Sequence, residues 1–287
     1  MRTIDANIDT ISRDMPSAST PNSTIPIPAL GSLAYLSIRL TEDADDTGGT
    51  IVATRITAML ERCQIRDRHG SVILNCTGLE LERIANALSP AGQDVDAPAP
   101  GDGTAVSWAN TIPISIAEAD MPAFLDITWA PESALYSASP TGDDAVTCEI
   151  RGAYIRGNNG IQTLRIKSST PPESAGDNSL QPYLPQGELV DRLLLLPNDG
   201  SSNPLADGDI TSLRLAVGGF NLIDNGTVNN TFSPADVQER RDGHIDGTII
   251  VRTPVFRVAN TGVLNLNLGT SAGFNLVTVS RRDTPEQ

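Results

Sequence analysis

The chain has 287 residues, of which 39% are hydrophobic and only 4% aromatic, and its 24 glycines and 20 prolines are spread between short apolar runs. That pattern favours many short strands joined by turns over a helical protein, and the length suits one large all-β domain or two of ordinary size. A formal charge of −15 argues against a protein that grips phosphate backbones, which is usually basic.

The start of the chain, "MRTIDANIDTISRD", has no apolar core of a secretory signal, and none is expected. The longest aliphatic run is Leu193 to Leu196, far short of the ~18 residues a membrane-crossing helix needs. Residues 1–24 are polar, and Ile4, Ile8 and Ile11 would share one helical face. They read as a loose N-terminal arm, ordered only against a neighbour or a membrane. From Thr24 the strands begin. "LAYLSIRL" alternates at Leu36, Ile38 and Leu40, and Ile51 to Arg66 reads as one long strand through "ITAMLERC". A turn at His69-Gly70 returns the chain through "SVILNC".

At Thr77 the period changes. Thr77 and Glu80 form a T-x-x-E capping box, and Leu81, Ile84, Ala85 and Leu88 make one apolar stripe of a short helix. Further strands read at 111–116, 123–130, 145–155 and 161–167. The Pro- and Ser-rich stretch "SSTPPESAGDNSLQPYLPQG" reads as a linker. Strands resume at 188–196, 210–223, 247–258, 262–269 and 274–280.

Sliding the chain on itself by 156 residues places Gly31 on Gly187, Gly70 on Gly226, Thr77 on Ser233 and Leu81 on Val237. Ser233-Pro234 begins a second capping sequence, with proline where a missing N–H costs nothing. The order of features repeats as well: glycine, strands, glycine turn, strand, cap, helix, strands. The expected fold is therefore all-β, two tandem jelly-roll β-sandwiches with one short helix each, the helix lying between the first four and last four strands. The expected boundaries are an N-terminal arm at 1–24, a first jelly roll at 25–168, a linker at 169–180 and a second jelly roll at 181–287.

The segments "LGSLAYLSIRL", "GSVILNCTGLELERI", "AVTCEIRGAYI", "PQGELVDRLLLLPNDG" and "ITSLRLAVGGFNLIDNGT" resemble the double jelly-roll major capsid proteins of tailless icosahedral viruses with an internal membrane. The resemblance covers about residues 25–282. It implies trimers of pseudo-hexagonal outline that tile a shell, contacts with neighbouring trimers, with minor capsid or penton proteins and with an underlying membrane, and a place in the virion capsid after synthesis in the host cytoplasm. Some members of the family bind calcium, but no ligand motif here matches theirs.

Enzyme motifs do not assemble. "GTSAG", Gly269 to Gly273, has the G-x-S-x-G spacing of a hydrolase elbow, but that elbow needs a helix after Ser271 and a later histidine, and the chain offers a strand and none. A bicupin metal site needs several histidines, and only His69 and His244 are present, both beside glycine in predicted turns. Three acidic groups (Asp43, Asp45 and Asp46; Asp94 and Asp96; Asp143 and Asp144) lack the calcium-loop pattern. No catalytic residue, cofactor or nucleic-acid partner is expected. Cys63, Cys76 and Cys148, odd in number and without a CxxC pair, read as reduced buried thiols, although the turn would set Cys63 opposite Cys76 at a spacing a disulfide could bridge. The expected function is a structural capsid subunit. The alternatives are a receptor- or carbohydrate-binding sandwich, which would need exposed aromatics among Tyr35, Trp108, Trp129 and Tyr136, and a bicupin-like metalloenzyme.

Overall fold

The computed structural model describes residues 3–15, 21–42, 49–88, 95–101, 103–138, 145–157, 160–169, 176–180, 188–197, 210–217, 220–225, 249–257, 264–270 and 274–282. They fall into two compact units divided between Thr163 and Leu164.

In the first unit the chain runs through β1 (Thr3–Asp14), β2 (Asn22–Ile27), β3 (Ser32–Glu42), β4 (Thr50–Ile51), β5 (Leu60–Arg66), β6 (Val72–Cys76), α1 (Gly78–Leu88), β7 (Val106–Ile112), β8 (Ala123–Trp129), β9 (Tyr136–Ala138) and β10 (Ala145–Ile155). One sheet has the order β1-β10-β3-β7, the other contains the run β6-β5-β8-β2, and β4 and β9 form a small separate ribbon. Without that ribbon the described residues of this unit form eight strands. Numbered along the chain, they read 1-8-3-6 in one sheet and 5-4-7-2 in the other, which is the jelly roll. Alternation drives it. In β8 every second residue is buried, from Ala123 through Leu125 and Ile127 to Trp129, and β3 buries Leu36, Ile38 and Leu40. These side chains meet between the sheets, where Arg13 of β1 lies 5.7 Å over the Trp129 ring of β8.

The second unit contains β11 (Leu164–Ser169), β12 (Gly176–Leu180), β13 (Glu188–Pro197), β14 (Ile210–Val217), β15 (Phe220–Asn225), β16 (Ile249–Arg257), β17 (Leu264–Thr270) and β18 (Phe274–Arg282). Its strands order as β16-β13-β18-β11 and β12-β17-β14-β15. Renumbered within the unit, these are 6-3-8-1 and 2-7-4-5, the same permutation as before. Glu188, buried at the start of β13, accepts bonds from Arg165 Nη1 at 2.8 Å and Ser280 Oγ at 2.5 Å. That carboxylate ties the third, first and eighth strands together.

Five expectations need correction. Within 1–24, expected as a loose arm, Thr3–Asp14 pairs along its length with β10, from Thr3↔Ile155 to Asp14↔Ala145, and supplies the first strand of the fold. Within 169–180, expected as a linker, Ser169 belongs to a strand, Leu164–Ser169, that pairs with β18, and Gly176–Leu180 pairs with β17, so the described strands of the two rolls run from Thr3 to Ile155 and from Leu164 to Arg282. The helix follows the fifth strand, not the fourth. The long strand at 51–66 is broken by a 3-10 turn at Ile56–Met59, and the run at 210–223 is a hairpin closing between Val217 and Phe220.

The repeat offset of 156 is correct at its firmest point, since it lays the third strand of the first roll, starting at Ser32, on the third of the second, starting at Glu188. Gly70 sits between the fourth and fifth strands; its expected counterpart Gly226 lies outside the described residues. The second helix, expected from Ser233, lies outside the described residues.

Gly31, the repeat marker, is required where it stands. Its φ is +141°, and a Cβ there would lie 2.6 Å from the Ile155 carbonyl oxygen.

Candidate assembly surfaces

Helix α1 is held from three sides. Its capping box forms as expected, with the Thr77 N–H donating to Glu80 Oε2 at 2.8 Å and the Glu80 N–H to Thr77 Oγ1 at 3.3 Å. Burial goes beyond the predicted stripe: Leu81, Ile84, Ala85 and Ala87 are joined by the polar Glu82 and Asn86. Glu82 accepts bonds from Arg55 Nη1, from Thr57 Oγ1 at 2.8 Å and from the Ala97 N–H at 2.9 Å. Burial pushes its carboxyl above the ordinary value in spite of these donors. Arg55 also reaches Asp96 Oδ1 at 3.0 Å. Asn86 accepts from Asn110 Nδ2 at 2.6 Å, and Trp108 Nε1 donates to the Val95 carbonyl at 2.9 Å. Helix and following segment are thereby fastened beside β7, an edge of the first sheet.

The outer faces differ. On β2, β8, β5 and β6 the polar side chains satisfy one another: Asp126 accepts from Arg66 Nε at 2.6 Å and Thr24 Oγ1 at 2.7 Å, Asn22 from Thr128 at 2.7 Å, and Asn75 from Arg62 at 2.7 Å. Arg66 holds the Asp126 carboxyl below its ordinary value against partial burial. The outer face of β10, β3 and β7 carries an open depression of about 280 Å³ lined by Ser37, Arg39, Ala109, Thr111, Glu149 and Arg151 among others. The edges differ too. β2 carries Pro26, whereas β1 is twelve residues long with no proline.

The predicted site residues scatter. His69 is exposed in its turn, its N–H donating to Asp67 Oδ1 at 2.8 Å, and His244 is outside the described residues. Ser271 is outside them too, but strands β17 and β18 flank it, where an elbow needs a helix to follow. Of the acidic residues weighed as cation ligands, Asp96 alone is described. Among the described residues no group of three or more His, Cys, Asp and Glu could hold a metal ion. Cys63 and Cys76 are paired in register as expected, and both are free and buried, as is Cys148. Burial raises all three thiols, Cys148 up to about 12. Trp108, Trp129 and Tyr136 are buried, and of the four aromatics weighed for ligand binding Tyr35 alone is exposed. The Glu82 and Glu188 hubs were missed. A charged residue on the apolar face of a predicted element was the available signal.

What these units define is a tandem jelly roll, an architecture of edges and faces. No family model and no curated protein matches the chain. Solved structures do. The major capsid protein of Sulfolobus Turreted Icosahedral Virus aligns with 98% of this chain and 96% of its own at a TM-score of 0.63 and 11% identity. That of bacteriophage PM2 aligns over 98% and 97% at a TM-score of 0.56 and 9% identity. The PBCV-1 virus capsid aligns over 99% and 96% at 0.57 and 9%. The chain has the double jelly-roll fold of these capsid proteins.

Proposed function

We propose that this chain is the major capsid subunit of an icosahedral virus. Three copies form a trimer of pseudo-hexagonal outline, and trimers tile the shell, meeting minor capsid or penton proteins and an underlying membrane at their margins. The observation that carries the reading is the repeat itself: two complete jelly rolls of identical strand permutation in one chain, in alignment with capsid proteins over nearly the full length of both partners. Two similar units in one chain give a trimer six similar positions, which suits hexagonal packing. Catalysis has no place in this reading; the work is done by interfaces. The charge of −15 supports an inner face that does not hold the genome directly. Static light scattering with negative-stain imaging of the purified protein tests it. Trimers or shells are expected, and a monodisperse monomer at every concentration and salt refutes it.

A further inference from the structure

Each flank of a β-sandwich ends in two strands, one per sheet. In the first unit β1 runs beside β2, and in the second β15 runs beside β16, all four at sheet ends. On both flanks one strand carries a proline. Pro26 lies in β2. Pro254 lies in β16, where the pairing with β13 jumps from Arg252 to Phe256. Proline offers no N–H to an incoming strand and guards an edge against pairing. The other strand of each flank, β1 and β15, has no proline. The inward Ile4, Ile8 and Ile11 of β1 are half-buried rather than buried. The opposite end of its sheet, β7, is attended by α1. β1 is itself interrupted once, by the register shift between Asn7 and Asp9, but on either side of that shift it is extended and free of proline, and such an edge beside a guarded strand invites a specific partner.

We propose that β1 of one copy pairs with β15 of a second copy, joining the β1-β10-β3-β7 sheet of one to the β12-β17-β14-β15 sheet of the next. This rests on the assembly reading above and names its contact. A three-fold ring requires a heterologous interface, in which two different patches meet; β1 against β1 would be two-fold and would stop at a dimer. β15 is the matching patch. The first strand ends its sheet on one flank of the roll, and the fifth ends the companion sheet on the other. Rolls set side by side in one orientation therefore bring a fifth strand towards a first. Main-chain bonds supply the affinity, and the proline-marked neighbours keep the register from wandering to β2 or β16.

Hydrogen exchange with mass spectrometry tests this on the full chain, comparing assembled protein with copies dissociated by dilution. Peptides covering 3–14 and 220–225 should gain protection together on assembly, while 22–27 and 249–257 should not. In parallel, Asn7→Lys with Thr10→Lys, both at exposed positions of β1, should leave the far-UV spectrum unchanged and raise the trimer dissociation constant by about tenfold or more. Trimers that form with unchanged exchange at 3–14 overturn the β1–β15 contact and leave the capsid reading standing. A chain that never leaves the monomer overturns both.

Discussion

Glu82→Ala removes a carboxylate that is 2% exposed and accepts from three donors. The Thr57 hydroxyl and Ala97 N–H are left without it in a closed site. Arg55, itself only 11% exposed, keeps Asp96, whose side chain is 54% exposed. Breaking a buried ion pair by removing one partner costs ~3–5 kcal/mol, and that range is the expected loss in urea unfolding of the full chain. Glu82→Gln, of similar shape but uncharged, should cost less. The two proteins should also differ in pH response. Burial raises the Glu82 carboxyl above 4.5 in the fold, so the folded state keeps a proton that the unfolded chain releases. The stability tied to that proton is fully present below the unfolded value and is lost as pH rises through the folded one. The wild type should therefore lose stability relative to Glu82→Gln across that window and run parallel to it above. A Glu82→Ala loss under about 1 kcal/mol would refute the hub.

Three further outcomes are expected. Gly78→Ala places a Cβ 1.9 Å from the Thr57 carbonyl oxygen; overpacking against backbone should outweigh the ~1 kcal/mol helix-propensity gain and cost about 2 kcal/mol or more net in thermal unfolding. The three thiols, buried and raised, should resist a thiol reagent in the native protein and all react in denaturant; rapid labelling of the folded chain would contradict their burial. Asp126, held below 3.8 chiefly by Arg66 and Thr24 against partial burial, contributes stability present above that value and lost as pH falls through the folded one. Asp126→Asn should flatten this acid limb of urea midpoint against pH.

The strands most legible in the sequence were those with an uninterrupted period of two. β8 and β10 fell where alternation placed them, and the third strands of both rolls were matched by one offset. β1 was hidden by arithmetic. Its isoleucines at 4, 8 and 11 fit one helical face, but the register shift between Asn7 and Asp9 fits the same spacing to one face of a strand. β12, "GDNSL", has little apolar content, and pairing with β17 decides its conformation. The candidate contact was not legible at all. Pro26 and Pro254 were visible, but their meaning depends on lying at sheet ends, and which strands are ends is settled by topology alone.

The pairing of β1 with β10 has a consequence for synthesis. The first strand made must wait for the eighth, more than a hundred residues later, before it has a neighbour in its sheet, so closure of this roll carries a high contact order and should be slow. All of its strands nevertheless lie before the second roll begins. A ribosome can therefore finish one sandwich while the other is still being translated, and a slow closure proceeds without the second unit's unpaired strands nearby to compete for it.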